Sequence, residues 1–238
     1  MKSGGFPFYH QVIDNFLDKE KAKKLEQEFP EYHSQIWFEY NNPLEIKRAC
    51  NNWYYFGPET YKLFCYLNSP EFIEKLKQIT GIKNLYPDIG LHGGGLHMIG
   101  RGGKLNIHLD YSIHPKLKLQ RKLNLILYLS EDWNISWGGS LEFWSHNQEL
   151  NRPNQREVTI ENIFNRAVIF DTTQNSWHGF PNPLTCPEDK YRKSIAVYYL
   201  TDPPEGTDSR LRALYAPTKD QENDANILSL IQKRTNYG

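Results

Sequence analysis

The chain has 238 residues, with 28 Lys+Arg against 28 Asp+Glu, 39% hydrophobic residues and 14% aromatics, which suits one sizeable globular core and excludes extensive disorder. Sixteen glycines and 14 prolines are an ordinary share, and a formal charge of zero supplies no bulk attraction to nucleic acid or anionic lipid. Cys50, Cys65 and Cys186 are odd in number and form no CxxC pair, which argues against a disulfide framework or zinc ribbon and for a reducing, cytoplasmic setting.

Residues 1–90 carry the helical signals. The opening MKSGGFPFYHQ lacks the apolar region of a secretion signal. Asp18 caps a helix expected over Lys19–Phe29, where Ala22, Leu25 and Phe29 share a face and Pro30 stops the pattern. Gly57-Pro58 opens a shorter helix. Ser69-Pro70-Glu71 starts a third, with a capping hydroxyl, proline at the first helical position and an acid in the first turn; Gly81 closes it.

From Gly93 the period changes to two. Strands are expected near Leu96–Gly100, Lys104–Asp110, Lys122–Ser130, Ser140–Trp144, Glu157–Ile160, Ala167–Thr172, Trp177–Phe180 and Arg192–Leu200. The strongest apolar run, Leu123–Leu129, is broken by Asn124 and reads as a strand, so no membrane span is expected. Short strands in succession without helices between them predict a mainly β fold with flanking α-helices and a jelly-roll, cupin-like core. The expected organisation is a single domain: helical support over 1–90, core over 91–201, and a polar tail over 202–238 with a surface helix near Asn223–Lys233.

Chemistry concentrates in the core. In Lys104–Asp110, strict alternation puts Asn106, His108 and Asp110 on one face and Leu105, Ile107 and Leu109 on the other. A histidine and a carboxylate two apart on a strand project side by side, as in two-thirds of a 2-His-1-carboxylate triad for ferrous iron. Further along, Ser176-Trp177-His178-Gly179 offers a third ligand beside a small residue. Arg192 and Ser194 then share a strand face, where a guanidinium can grip a carboxylate through two bonds and the hydroxyl adds a donor. Each part alone has a plainer reading: a core histidine with a turn acid, a loop histidine, a surface strand charge. Their order along the chain is the more specific signal.

His108-Leu109-Asp110, Gly138-Gly139-Ser140-Leu141-Glu142-Phe143, Ser176-Trp177-His178-Gly179 and Arg192-Lys193-Ser194 together resemble the iron(II)- and 2-oxoglutarate-dependent dioxygenases, especially their prolyl-hydroxylase-like branch. The likeness spans roughly residues 90–201, with Val12–Leu17 also similar to how such chains begin. It implies a double-stranded β-helix, Fe(II) held by His108, Asp110 and His178, 2-oxoglutarate anchored by Arg192 with Ser194, O2 as co-reactant, and hydroxylation of an unactivated C–H in a protein side chain, amino acid or small metabolite. Asn124 and Tyr128 are then secondary cosubstrate contacts. The chain departs from animal-type prolyl hydroxylases at Ile99 and Leu105, where they carry tyrosines, and at Arg192, where they generally use lysine. Tyr198 stands where the nucleic-acid-demethylating branch has a second arginine, so no nucleic acid partner is expected.

Two other functions fit parts of the pattern: a non-oxidative cupin-like isomerase or lyase, and a metal-free jelly-roll binding module. The first gives Arg192 and Ser194 no required role, and the second leaves His108, Asp110 and His178 metal-free. His92 and His97 are expected to line the site or fill its approach strand without binding metal, His114 and His146 to be solvated turn residues, Cys186 to be a free surface thiol, Trp144 and Trp177 to pack, and the tail charges to face water.

Overall fold

Leucines alternating with polar residues after Gly93 build the sheet on which everything else rests, and a computed structural model describes the chain over residues 2–236. The first segment holds β1 (Lys2–Gly4), β2 (His10–Ile13), α1 (Lys19–Gln27), β3 (Phe38–Asn42), β4 (Glu45–Cys50), α2 (Pro58–Leu67), α3 (Pro70–Thr80) and β5 (Tyr86–Pro87). The core strands follow as β6 (Gly95–Ile99), β7 (Lys104–Leu109), β8 (Gln120–Tyr128), β9 (Leu141–Asn147), β10 (Arg152–Ile160), β11 (Ala167–Asp171), β12 (Trp177–Phe180) and β13 (Arg192–Thr201). β14 (Leu214–Tyr215) and α4 (Ala225–Asn236) complete the chain.

The helices start and stop where capping chemistry directs. Asp18 accepts from the Glu20 and Lys21 amides at the head of α1. Ser69 accepts from the Phe72 amide with Pro70 at the first helical position, and Gly81 ends α3 in the left-handed conformation at φ 73°.

The 14 described strands join one antiparallel sheet, with the path β1-β2-β11-β8-β13-β6-β4-β7-β12-β9-β10 and with β3 on β4, β5 on β13 and β14 on β7. It curls until β9 and β10 face β8 and β11. Leu141, Phe143 and Ile160 from one side meet Tyr128, Val168 and Phe170 from the other, with Phe8 closing the layer. The opposite face of β8 and β13 carries Leu123, Leu125, Leu127, Ile195, Val197 and Tyr199 against Leu25, Leu63, Phe64, Leu67 and Leu76 of the helices. Each leucine buried there stabilises the fold by about 1.5–3 kcal/mol. This is the double-stranded β-helix expected from the strand series.

The first ninety residues also add strands to the helices expected there: β2 extends the sheet beside β11, and the β3–β4 hairpin inserts β4 between β6 and β7. Short runs such as Glu45–Cys50 carry little two-residue periodicity, which hides them in the sequence. Three surface expectations are corrected. Cys186 is fully buried, packed with Ile99, Phe180 and Leu184. His114 is 4% exposed because its Nδ1 accepts from the Lys116 and Leu117 amides, which draws the ring under its own turn. Half-buried His146 accepts from Trp177 Nε1 instead of facing only water.

Candidate active site

Antiparallel register sets His178 on β12 opposite His108 on β7, and Asp110 lies just past the end of β7. The two imidazole centroids are 4.3 Å apart. His108 Nε2 lies 3.7 Å from Asp110 Oδ1 and His178 Nε2 lies 3.8 Å from Asp110 Oδ2. All three side chains are buried, with one donor atom from each inside a sphere of mutual distances under 4.8 Å.

Hydrogen bonding decides which nitrogen faces the centre. His108 Nδ1 is 2.9 Å from the Asn106 carbonyl and His178 Nδ1 is 2.7 Å from the Ser176 carbonyl. A carbonyl only accepts, so both Nδ1 atoms carry the proton and both Nε2 atoms present lone pairs. Burial, followed by the neighbouring His108, pushes His178 down to about 4, which keeps it a neutral donor near pH 7. For Asp110, burial alone would raise the carboxyl, but His108 and Arg121 hold it well below the usual carboxylate range. Its Oδ2 is buried without a hydrogen-bond partner among the described residues. Two oriented imidazoles and one unsatisfied carboxylate oxygen fit the requirements of ferrous iron with open positions for further ligands.

Strict alternation on β7 fails at one point. His178 opposes His108 while Phe180 opposes Leu105, so two steps on β12 match three on β7 and a bulge falls between Leu105 and His108. Leu105 therefore lines the cavity, while Asn106 turns away to donate to Gln221 Oε1 and the Ala216 carbonyl. The expectation that Asn106 shares the face of His108 is corrected. The bulge also leaves the Asn106 carbonyl free to orient His108.

The triad sits in a cavity of about 550 Å³, lined on its inner side by Asn124, Ile126, Phe180, Arg192, Ser194 and Tyr198. Arg192 is 4% exposed. Its guanidinium lies between the Tyr128 and Phe180 rings at 4.9 and 4.7 Å, and its Nε donates to the Gly139 carbonyl at 2.9 Å. Gly139, at φ 79°, is needed here, since a Cβ would stand 2.8 Å from Arg192 Cδ. Burial lowers the Arg192 pKa, and no carboxylate of the described residues lies within ion-pair distance of it. A buried cation without a counter-ion is costly unless an anion arrives to pair with it. Ser194 is buried on the same strand face, Tyr128 Oη is buried beside the Arg192 guanidinium, and Asn124 Oδ1 is buried without a hydrogen-bond partner among the described residues. These groups fit a dianionic keto acid.

Several residues around the site escape sequence reasoning. Arg121 reaches Asp110 because a register shift opposite Tyr199 and Leu200 places a bulge at Lys122 and turns Arg121 inward. Tyr215 pairs with His108 across β14 and β7, and Arg210 donates to the Asp110 carbonyl at 2.8 Å. The tail is thus part of the cavity wall; Arg234 on α4 reaches buried Glu45 at 2.8 Å. Only Tyr198 could be found from alternation, since it follows Arg192, Ser194 and Ala196 on one face of β13. His92 and His97 line the cavity outside the His-Asp-His cluster, and Trp177 packs with Ile107 and Leu109.

A double-stranded β-helix enclosing a buried His-Asp-His cluster is a jelly roll with a candidate metal site. The sequence model of the 2OG-Fe(II) oxygenase superfamily matches residues 94–224, more than half of the chain, and the chain belongs to that superfamily. It is a 2-oxoglutarate-dependent dioxygenase that works with Fe(II) and O2.

Solved structures of similar fold include a prolyl hydroxylase from Trichoplax adhaerens in complex with a hypoxia inducible factor oxygen degradation domain peptide fragment, at 18% identity and TM-score 0.57 over 81% of this chain and 83% of that one. A Pseudomonas putida prolyl-4-hydroxylase matches at 12% identity and TM-score 0.54 over 81% and 92%. The viral collagen prolyl hydroxylase of Paramecium Bursaria Chlorella virus-1 matches at 14% identity and TM-score 0.52 over 82% and 97%. Among curated proteins, none matches this sequence.

Proposed function

We propose that His108, Asp110 and His178 hold the iron, that Arg192 with Ser194 receives the distal carboxylate of 2-oxoglutarate, and that Asn124 and Tyr128 contact the same molecule. The buried, unpaired guanidinium of Arg192 carries this reading, because an isomerase, lyase or metal-free module has no use for it. When bound together, iron, 2-oxoglutarate and O2 supply the oxidant that hydroxylates a C–H bond, leaving succinate and carbon dioxide. The chain's own part is geometric. Asn106 and Ser176 carbonyls aim the imidazoles, Gly139 fixes the angle of Arg192, and Ile126, Leu141 and Phe180 exclude water from the inner cavity.

The substrate we favour is a peptide. Phe38, 65% exposed, and Tyr40 lie on β3 at the cavity mouth, and among the described residues β3 pairs only with β4, leaving an open strand edge for an extended segment. The neighbours that act on peptides or collagen point the same way. A free amino acid or small metabolite is the alternative outcome of the test. We further assign residues 1–238 to one dioxygenase domain and place it in the cytoplasm without a nucleic acid partner, on the neutral charge and the free Cys50, Cys65 and Cys186. No helix of the described residues is long and apolar enough to cross a membrane.

Turnover of 2-oxoglutarate to succinate with Fe(II) tests the site: His178→Ala should abolish it and Arg192→Ala should mainly raise the 2-oxoglutarate requirement. Near-normal turnover by His178→Ala would overturn the ligand assignment. Mass spectrometry for the gain of one oxygen atom across peptides and metabolites then decides the substrate.

A further inference from the structure

Asp110 is held by more than its neighbouring ligands. Arg121 Nη1 lies 3.3 Å from Asp110 Oδ1, and the Tyr198 hydroxyl donates to the same oxygen at 3.2 Å. Oδ1 also lies 3.7 Å from His108 Nε2, whereas Oδ2 faces His178 and accepts from no donor among the described residues. The two oxygens are therefore unequal: Oδ1 is held by two protein donors, and Oδ2 has none.

Arg121 is itself immobilised. Its guanidinium carbon sits 3.4 Å from the Tyr111 ring centroid and 3.3 Å from the Tyr198 ring centroid, so the planar group is clamped between two aromatic faces. Its Nη2 donates to the His92 carbonyl. Gly93, at φ 75°, admits that approach, because a Cβ there would stand 2.5 Å from Nη2. Arg121 is 2% exposed. A surface-type ion pair would need none of this.

We infer that Arg121 and Tyr198 are positioning residues of the metal centre, fixing Asp110 so that Oδ2 alone is presented as a ligand. An aspartate's terminal torsion is broad and nearly two-fold, so an unheld carboxylate exchanges its oxygens or turns both toward a cation. Clamping Oδ1 removes that freedom before metal arrives. Residues behind the ligands of a metal site typically contribute a factor of about 10–100 in affinity through such orientation. A purely structural alternative has Arg121 pinning the His92–Gly93 turn against β8, with Asp110 as a passive counter-ion.

The inference rests on the proposal that His108, Asp110 and His178 hold metal, and Co(II) titration of the whole protein under nitrogen, followed by calorimetry and visible absorption, separates the two. Tyr198→Phe removes one hydroxyl and keeps the ring over Arg121; Arg121→Gln removes the cation; Arg121→Lys keeps charge without the planar fork. Weakening of Co(II) binding by about 10–100-fold is expected for Arg121→Gln and by about 3–10-fold for Tyr198→Phe, with altered ligand-field bands in both and only partial rescue by Arg121→Lys. If wild-type protein binds no Co(II), the metal assignment itself fails. If wild type binds and the folded variants match it in affinity and spectrum, the positioning role is wrong while the triad stands. Should Arg121→Gln not fold, Tyr198→Phe decides alone, since losing one hydroxyl leaves the clamp's packing intact.

Discussion

Tyr215 lies against the imidazole of His108, ring centroids 5.2 Å apart and planes 24° from parallel. The tail therefore reaches the metal-type cluster directly, through β14 on the edge of β7. What keeps it there is Glu45, 2% exposed, with Lys47 at 3.3 Å and Arg234 of α4 at 2.8 Å.

Breaking that anchor should free the tail. Burial alone would raise the Glu45 carboxyl, yet Lys47 and Arg234 hold it at about 2 against an ordinary 4.5. A depressed carboxylate stabilises the fold above pH 4.5, and this contribution, on the order of 3 kcal/mol, is lost as pH falls from 4.5 toward 2. Glu45→Gln is expected to raise hydrogen exchange at the Ala216 amide, which bonds to the Ile107 carbonyl at 2.8 Å, while the β8 amides stay protected. Unchanged exchange at Ala216 would show that β14 holds without α4.

Gly139→Ala should act at a distance from the metal. Its Cβ would press on Arg192 Cδ at 2.8 Å and on Leu184 Cδ2 at 2.9 Å, tilting the guanidinium. The expected result is a 2-oxoglutarate KM raised by about 10-fold, the scale of one charge-assisted hydrogen bond, with Co(II) affinity preserved. Steady-state kinetics against 2-oxoglutarate, paired with metal titration, measures both.

Gly179→Ala should do the reverse and damage the metal side. The new Cβ would meet the Leu105 and Asn106 carbonyls at 2.7 Å, both backbone atoms that cannot step aside. Overpacking of this kind costs about 1–3 kcal/mol, and it falls beside His178. Thermal melting of the metal-free protein should drop, and Co(II) binding should weaken together with it.

Acid should destabilise the metal-free protein through half-buried His97. Burial first, then Lys47 and Arg192, push His97 down to about 3 from an ordinary 6.5. A depressed histidine contributes stability above pH 6.5 that fades as pH falls toward 3, because the unfolded chain takes up the proton first. His97→Gln should flatten the stability curve below pH 6.5 by up to about 1.4 kcal/mol per pH unit. Urea denaturation at several pH values checks the slope; parallel curves for the two proteins would contradict it.

Much of the candidate site is readable from local order. His108 and Asp110 are two apart at the end of β7, Arg192, Ser194 and Tyr198 share a face of β13, and Asn124 and Tyr128 share a face of β8, because those stretches keep their alternation. Alternation fails at the bulges. At Lys122 one extra residue turns Arg121 inward, and between Leu105 and His108 another turns Asn106 outward. A bulge leaves no periodic trace in a single sequence, since it depends on what the partner strand does.

The helix caps, the strand series, the jelly-roll class and the residues of the candidate site are legible in the amino-acid sequence. Those features follow from side-chain periodicity and capping groups within a few residues of each other. Tertiary structure alone decided that β4 enters the sheet, that Cys186 and His114 are buried, that Arg121 and Tyr198 divide the oxygens of Asp110, and that Tyr215 covers His108. Each of those joins segments far apart in the chain. Such contacts arise from the curl and register of the whole sheet, to which no local pattern is sensitive.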